Sequence, residues 1–281
     1  MKRRNFIKTS FLSLAGISLL SGLYAWQIEP FRLEIVHIKM PIKNLPKHLI
    51  GKTLMQISDI HIGNRFDFQF IIDSFKIANQ FKPDFVVYTG DYISLENGQV
   101  PIDKLKKVLK DSVKGSMGTL AILGNHDYGV NWSQPEIANQ ISDLFNINEI
   151  TILRNEQIQI NGLNFIGLDD FWGLNFNPEK ALQNFNKSVA NIALCHNPDV
   201  CDLDIWKDYD SWILSGHTHG GQVKPPFLTP PLLPVQNKAY SSGIYKLEND
   251  RTLYINRALG HLWQVRFNVR PEISLFQLQN T

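Results

Sequence analysis

The chain has 281 residues, of which 43% are hydrophobic and 19% charged. This balance is typical of a globular protein and excludes a disordered chain, a collagen-like repeat and a membrane protein with many spans. The net charge is +2, but the first 28 residues hold four cations and no acid, so the rest is slightly acidic. A slightly acidic body disfavours nucleic-acid binding, which needs a basic surface. The two cysteines, Cys195 and Cys201, are too few for a disulfide framework, and we interpret them as buried hydrophobic residues.

Residues 1–28 have the composition of a secretory signal or a membrane anchor. After a basic start, residues 9–28 carry no charge, and as a helix they would span roughly 30 Å, the thickness of the hydrocarbon core of a bilayer. The run RRNFIK at residues 3–8 resembles the twin-arginine export signal, although Lys2 departs from its usual pattern. The candidate cleavage site at residues 23–25 is weak, which favours an uncleaved anchor over a cleaved signal.

After residues 29–50, which we assign to a proline-containing linker, short apolar runs predict strands and apolar residues at helical spacing predict helices. In chain order these are strand 53–58, helix 68–81, strand 84–89, helix 102–113, strand 119–123, helix 133–145, strands 151–154, 157–160 and 163–168, helix 177–186, and strands 191–195, 211–214, 243–247, 252–256 and 273–278. Ser133 and Glu136 predict a capping box for the third helix. The last three strands are predicted to be antiparallel. The alternation predicts one α/β sandwich domain over residues 51–281.

Side chains that bind metals follow five of the predicted strands directly. These clusters are Asp59 with His61, Asp91, Asn125 with His126 and Asp127, His196, and His217 with His219. They contain five of the eight histidines of the chain. Because the carboxyl ends of strands in an open α/β sheet converge on one crevice, we expect the clusters to meet there. The sequence therefore predicts a metal site.

Seven of these side chains are candidate ligands: Asp59, His61, Asp91, Asn125, His196, His217 and His219. They offer oxygen or imidazole nitrogen, which suits Mn, Fe, Zn or Ni. Seven donors are too many for one tetrahedral ion and suit two divalent ions that share a carboxylate. Asp59 and His61, two residues apart in a strand, should face one side and reach one ion. Glycines 90, 124, 216, 220 and 221 should allow tight turns beside the ions.

The order D-x-H, G-D, G-N-H-D, a lone His and G-H-x-H across residues 59–219 resembles the calcineurin-like metallophosphoesterase superfamily. GHTHGGQ at 216–222, HNPD at 196–199 and RPE at 270–272 resemble one bacterial branch of it. That branch contains exported or membrane-bound phosphodiesterases and some UDP-2,3-diacylglucosamine hydrolases of lipid A synthesis. The resemblance implies an α/β fold in four layers (αββα), a β-sandwich of two mixed sheets flanked by helices.

The resemblance also implies roles for the site residues. One ion would be bound by Asp59, His61, Asp91 and His219, and the other by Asp91, Asn125, His196 and His217. A hydroxide that bridges the two ions would attack phosphorus in line. His126 would protonate the leaving group while Asp127 holds its imidazole, although a structural role for His126 is an alternative. Asp169 and Asp170 would contact substrate, support the ligands or act as structural caps.

Together these features favour a dimetal phosphodiesterase at the outer face of the cytoplasmic membrane, reached through the twin-arginine export machinery. The alternative is a UDP-2,3-diacylglucosamine pyrophosphatase at the cytoplasmic face. An inactive binding scaffold is disfavoured, because no ligand position has been lost. We expect a monomer that binds the membrane through its N-terminal segment, acts on a phosphodiester that a lipid can carry, and does not bind nucleic acid.

A proline-rich segment, VKPPFLTPPLLPV at residues 223–235, follows the last ligand cluster. Its five prolines exclude a helix or a central strand, because each proline removes a backbone donor. The segment should form part of the rim of the crevice. Two interpretations stay open: a loop packed on the body with Leu232 and Leu233 buried, or an apolar lip that receives acyl chains or touches the bilayer. Phe171, Trp172 and Trp263 would extend such a lip.

Overall fold

The computed structural model describes residues 3–63 and 67–281. The strands are β1 (Glu34–Ile42), β2 (Thr53–Ile57), β3 (Phe85–Thr89), β4 (Gly118–Ile122), β5 (Thr151–Ile152), β6 (Glu156–Ile160), β7 (Leu163–Gly167), β8 (Ala190–Leu194), β9 (Trp212–Ser215), β10 (Gly243–Lys246), β11 (Thr252–Ile255) and β12 (Glu272–Asn280). The helices are α1 (Arg3–Gln27), α2 (Gln69–Asn79), α3 (Ile102–Leu109), α4 (Pro135–Ile147) and α5 (Pro178–Leu182).

The strands form two six-stranded mixed sheets. The first has the order β1-β12-β2-β3-β4-β5 and the second the order β10-β11-β9-β8-β7-β6. Strands β2 to β5 run parallel in the first sheet, as do β7, β8, β9 and β11 in the second. Parallel neighbours end at the same edge of a sheet, so the loops that follow them gather there.

An apolar core fills the space between the sheets. Strands such as FVVYT in β3 and ANIAL in β8 are buried along their whole length, as expected for strands covered on both faces. Phe85 of the first sheet and Phe165 of the second meet in this core, with ring centroids 5.6 Å apart. Dense packing of this kind fixes the two sheets relative to each other.

Helices and loops cover the outer faces, which confirms the predicted four-layer sandwich. Helices α2, α3 and α4 bury their apolar faces on the first sheet. The second sheet is covered by the short α5 and by loops that contribute Trp206 and Tyr209. Cys195 and Cys201 are free thiols buried in this outer core, which confirms their interpretation as hydrophobic residues.

The residues before the predicted domain are more ordered than a linker. Strand β1 lies within residues 29–50 and pairs in parallel with β12 from Glu34 to Ile42, so the linker prediction is wrong over this strand. The sequence did not reveal it because its partner lies more than 200 residues away. As β1 is an edge strand, it tolerates Pro41, because one side of an edge strand has no neighbour that needs its N–H groups.

Helix α1 precedes this strand and exposes apolar side chains along its length, including Phe11, Leu14 and Leu20. Among the described residues it is the one helix long and apolar enough to cross a membrane, and a signal sequence shares these properties.

Two further local predictions need correction. Helix α4 begins at Pro135 with Gln134 as its N-cap, and the Ser133 hydroxyl donates to the Val130 carbonyl, so there is no Ser133–Glu136 capping box. Proline is favoured at the first helical position because the N–H it lacks has no partner there. The last strands are not all antiparallel to their neighbours, since β11 runs parallel to β9 and β12 parallel to β1.

Replacing Phe165 by alanine should remove a large side chain from the core between the sheets. We expect Phe165→Ala to lower the free energy of unfolding by about 3–5 kcal/mol, through lost burial and the cavity left behind. Ile147→Ala, at an exposed position of α4, should change it by less than about 0.5 kcal/mol. Urea unfolding of both variants measures the difference, and equal losses would contradict the packing described.

Candidate metal centre

The loops after β2, β3, β8 and β9 bring carboxylates and imidazoles together at one edge of the sandwich. Two of the resulting clusters have ligand atoms that lie within 4.8 Å of one another, namely Asp59, His61 and His219 in one, and Asp91, His196 and His217 in the other. The Nε2 atoms of His61 and His219 are 3.0 Å apart, and Nε2 of His196 lies 3.1 Å from an Asp91 carboxylate oxygen. The structure thus brings together the six histidine and aspartate ligands that the sequence predicted.

The backbone at these ligands adopts an uncommon conformation. Asp59, His61, Asp91, His217 and His219 have φ of 53°, 46°, 56°, 69° and 53°. Non-glycine residues avoid this region, and where they occupy it they cluster at functional sites. Since β2 ends at residue 57, the first two ligands follow the strand. The prediction that a strand directs both to one side is therefore wrong, and the turn after it brings them together.

Two glycines let the backbone approach the carboxylates. A Cβ atom on Gly124 would collide with the Asp91 side chain, and one on Gly216 would collide with the side chains of Asp59 and Ser58. Any larger residue would therefore displace a ligand. This explains glycine directly before Asn125 and before His217.

Hydrogen bonds fix the orientation of the imidazoles. Nδ1 of His196 lies 2.7 Å from the Thr89 carbonyl, and Nε2 of His217 lies 2.8 Å from the Pro234 carbonyl. A carbonyl only accepts, so each of these nitrogens carries the proton and donates. The second nitrogen of each ring faces the cluster, where Nδ1 of His217 lies 3.2 Å from Nε2 of His196. Such outer hydrogen bonds are typical of histidines that bind metals.

The charges of the site suit a cation. Burial disfavours ionisation of Asp59, but His196 and His219 outweigh it and lower the pKa of this carboxyl to about 2. The same balance, with His196 as the strongest attractive neighbour, holds the pKa of Asp91 well below its usual value. Burial, reinforced by His196, lowers the pKa of His217 to about 3. Burial acts in the same direction on His196, but Asp91 and Asp59 outweigh it and raise the pKa of this ring well above its usual value, so a cation at the cluster would compete with a proton on it. Ionised carboxylates and neutral imidazoles are the forms that bind metals, and metal binding would release that proton.

The amide of Asn125 provides an independent test of whether these residues fit a metal. Its Oδ1 is buried, yet it accepts no hydrogen bond from any described residue. A buried polar atom without a partner is costly, and a cation at the cluster would satisfy this oxygen. The residues present therefore fit divalent metal ions, with oxygen and nitrogen donors that suit Mn, Fe, Zn or Ni.

His126 lies at the edge of the cluster. Its ring is half-buried and meets the His61 ring edge to face, with centroids 5.0 Å apart. Its backbone N–H donates to Oδ1 of Asp91 over 2.9 Å, which ties its position to that carboxylate. The imidazole is thus beside the candidate metal ligands and partly exposed to solvent.

Asp127 is not the partner of the His126 imidazole. Its carboxylate accepts from the backbone N–H groups of Asp91, Tyr92 and Gly124, at 2.9, 2.8 and 2.9 Å. Burial, with repulsion from Asp91, raises its pKa well above the usual value. The predicted carboxylate–imidazole pair is therefore wrong, because the loop uses this carboxylate to bind its own backbone amides.

The two acids after β7 hold the neighbouring loop. Asp169 forms an ion pair with Arg154, with Nε to carboxylate 2.9 Å, and accepts from the Tyr128 hydroxyl at 2.6 Å. Asp170 accepts the backbone N–H groups of Trp172 and Gly173, both at 2.8 Å, and burial raises its pKa to about 7. These contacts place the Trp172 ring edge to face with His217, at a centroid distance of 4.5 Å.

Comparison with known proteins shows which family has this arrangement of residues. Residues 52–221 match the sequence profile of the family described as calcineurin-like phosphoesterase. The chain belongs to this family. Its members hydrolyse phosphoric esters with the help of metal ions, and the chain is such a metal-dependent hydrolase. The expected fold and the general chemistry of the site are confirmed.

Three bacterial proteins are similar to this phosphoesterase over nearly their whole length. The chain is 28% identical to the UDP-2,3-diacylglucosamine pyrophosphatase LpxG of Chlamydia trachomatis, over 96% of the chain and 97% of that protein. It is 30% identical to the uncharacterized metallophosphoesterase YkuE of Bacillus subtilis, over 100% and 99%. It is 26% identical to the phosphodiesterase YaeI of Escherichia coli, over 99% of both.

Several residues of the phosphoesterase site were missed from the sequence. Trp132 stacks on Trp172, with ring centroids 4.7 Å apart, and the Ser94 hydroxyl lies 3.2 Å from Nδ1 of His61. The carbonyls of Thr89 and Pro234 belong to the backbone, so no residue type in the sequence points to them. Trp132 could have been noticed as a large aromatic residue in a loop near a ligand cluster, and Trp172 was considered only as part of an apolar lip.

Divalent metal should stabilise the folded protein. With Mn²⁺ at about 100 times its dissociation constant, we expect about 2.7 kcal/mol of added stability, or roughly 5–10 °C in Tm. Asp91→Asn should lose most of this shift, because the carboxylate touches both clusters. Asp143→Asn, at an exposed acid of α4, should keep it. Thermal unfolding with Mn²⁺ or EDTA measures the shift, and an unchanged shift in Asp91→Asn would contradict this site.

Proposed function

We propose that the chain is a membrane-associated phosphodiesterase whose centre holds two divalent cations. The observation that carries this proposal is the position of Asp91. One of its carboxylate oxygens lies 3.1 Å from Nε2 of His196 and 3.6 Å from Nε2 of His61. A single carboxylate between two groups of imidazoles is the arrangement needed to bridge a pair of cations.

The proposed ligand sets follow from this bridge. One cation is assigned to Asp59, His61, Asp91 and His219, and the other to Asp91, Asn125, His196 and His217. When bound, the pair supplies positive charge to the phosphoryl oxygens and lowers the pKa of a water nucleophile. The ligand identities permit Mn, Fe, Zn or Ni.

A side chain of the protein is proposed to protonate the oxygen of the leaving group. The half-buried His126 is proposed as the general acid, since it lies beside the ligands, with its position fixed by the hydrogen bond to Asp91. Asp127 is assigned a structural role in place of the catalytic role expected from the sequence, because it holds the backbone of Asp91 and Tyr92. A scaffold without activity is disfavoured, because the ligand residues and His126 are all in place.

A second candidate is hydrolysis of the pyrophosphate of UDP-2,3-diacylglucosamine. Similarity to LpxG over nearly the whole chain favours it. The stacked pair of Trp132 and Trp172 beside His217 also favours it, because such a pair offers an aromatic surface for a nucleobase.

We also propose that residues 1–28 anchor the enzyme at the outer face of the cytoplasmic membrane. The run RRNFIK at residues 3–8 supports export through the twin-arginine machinery, and the length of α1 supports anchoring. Residues 51–281, with β1 added, then form the catalytic body. Digestion of intact spheroplasts by protease distinguishes this side from the cytoplasmic side.

The proposed activity is tested with the Mn²⁺-loaded full-length protein on four substrates. These are bis-p-nitrophenyl phosphate, p-nitrophenyl phosphate, a glycerophosphodiester and UDP-2,3-diacylglucosamine. We expect kcat/KM for the diester bis-p-nitrophenyl phosphate to exceed that for the monoester. Preference for the monoester would contradict a phosphodiesterase, and a UDP-2,3-diacylglucosamine rate far above the others would select the second candidate.

Replacing His126 should separate proton transfer from metal binding. We expect His126→Ala to keep the metal content of the wild type and to lose roughly a hundredfold or more in kcat on an alkyl diester, whose leaving group needs protonation. The loss should be much smaller on bis-p-nitrophenyl phosphate. The control His48→Ala removes an exposed histidine elsewhere and should retain full kcat. Equal losses of kcat on both substrates would assign His126 to binding or structure.

A further inference from the structure

An apolar cleft opens directly beside the metal centre. It has a volume of about 490 Å³ and lies between the proline-rich segment and the loop of residues 262–265. Leu232, Leu233, Trp263 and Val265 form much of its wall, and His219 lines it as well. This volume lies within the range of small-molecule sites. One side chain, that of His219, thus belongs to both the ligand cluster and the cleft.

The two walls of the cleft are fastened to the ligand loop. The Gln222 amide donates to the carbonyls of Trp263 and Val265, both over 2.9 Å, and accepts from the Leu262 backbone N–H at 3.0 Å. On the other wall, the Pro234 carbonyl accepts from His217. The cleft therefore has a fixed position relative to the centre.

The rim of the cleft is exposed and apolar. Leu232 and Trp263, which line the cleft, are 70% and 64% exposed, and Phe227 and Leu228 of the same proline-rich segment are also exposed. Residues 223–235 and 262–265 contain one charged side chain, the cation Lys224. The structure separates the two leucines that the sequence analysis treated together, since Leu233 is 9% exposed and packs in the wall. Large apolar side chains held in water in this way mark an interaction surface.

The same loop holds the end of the apolar N-terminal helix. The Arg266 backbone N–H donates to the Ala25 carbonyl over 2.8 Å, and the Gln264 amide donates to the Trp26 carbonyl over 3.1 Å. Residues 263 and 265 thus line the cleft while residues 264 and 266 bind the end of α1. A helix inserted in a bilayer would bring the cleft to the membrane surface.

We propose that this cleft binds the alkyl or acyl chain of a lipid phosphoester drawn from the bilayer and presents its phosphorus to the metal centre. The membrane lipid is favoured as occupant because the loop that lines the cleft also binds the end of α1, the proposed anchor. Lys224, the single charged residue of the proline-rich segment, suits anionic head groups. The inference rests on the proposed function and adds to it the class of substrate.

Two esters that differ only in their tail test the inference. Dodecyl p-nitrophenyl phosphate and methyl p-nitrophenyl phosphate share the reacting centre and the leaving group. We expect the Mn²⁺-loaded full-length protein to prefer the dodecyl ester in kcat/KM. Leu232→Ser and Trp263→Ser should each lower the ratio of the two kcat/KM values roughly tenfold or more, since each removes apolar surface from the bound tail. Both side chains are exposed, so Tm should not change.

Ile147→Ser is the matched control, because it removes an exposed apolar side chain outside the cleft and should keep the wild-type ratio. All proteins are assayed in the same detergent, so partitioning of the ester into micelles cancels in the comparison. Equal kcat/KM for both esters in the wild type, or an unchanged ratio in both cleft variants, would overturn the lipid cleft while leaving a phosphodiesterase. Failure to hydrolyse either ester would instead refute the proposed function.

Discussion

The constraint on which the site depends is the burial of two carboxylates in one small volume. Asp59 and Asp91 both lie within 4 Å of Nε2 of His196, and water does not reach them. A buried charge is costly unless it is paired. Divalent cations bound by these carboxylates and by the lone pairs of the imidazoles would offset this cost. The left-handed backbone at five ligands, at about 1–3 kcal/mol each, persists because the surrounding structure holds it.

The residues of the candidate metal centre come from both sheets. Asp59, Asp91 and Asn125 follow strands of the first sheet, whereas His196, His217 and His219 follow strands of the second. The centre therefore exists only when the sandwich is closed. A direct link reinforces this, because the Gln56 amide in β2 donates to the Ser215 carbonyl in β9 over 2.9 Å. Because the core fixes the two sheets relative to each other, it also fixes the geometry of the site between them.

The sequence predicted most strands and an α/β sandwich, because buried strands are apolar runs, and the resemblance to the family implied its four layers. The predicted ligand residues meet in one place because they follow the ends of these strands. It did not predict which backbone groups the polar side chains bind. Asp127 resembles a catalytic partner of His126 in sequence, and only the fold shows that three backbone N–H groups use its carboxylate. Strand β1 was missed for a related reason, since its pairing with β12 depends on contacts far apart along the chain.

That pairing has a consequence for biosynthesis. Strand β12, which ends at residue 280, lies between β1 and β2, so β1 and one edge of β2 have no neighbour in the sheet until β12 has been synthesised. At about 5–20 residues per second, β1 has no neighbour in its sheet for on the order of ten seconds or more after its own synthesis. The first sheet therefore closes only after β12 has left the ribosome, and deletion of residues 272–280 would leave β1 without its partner.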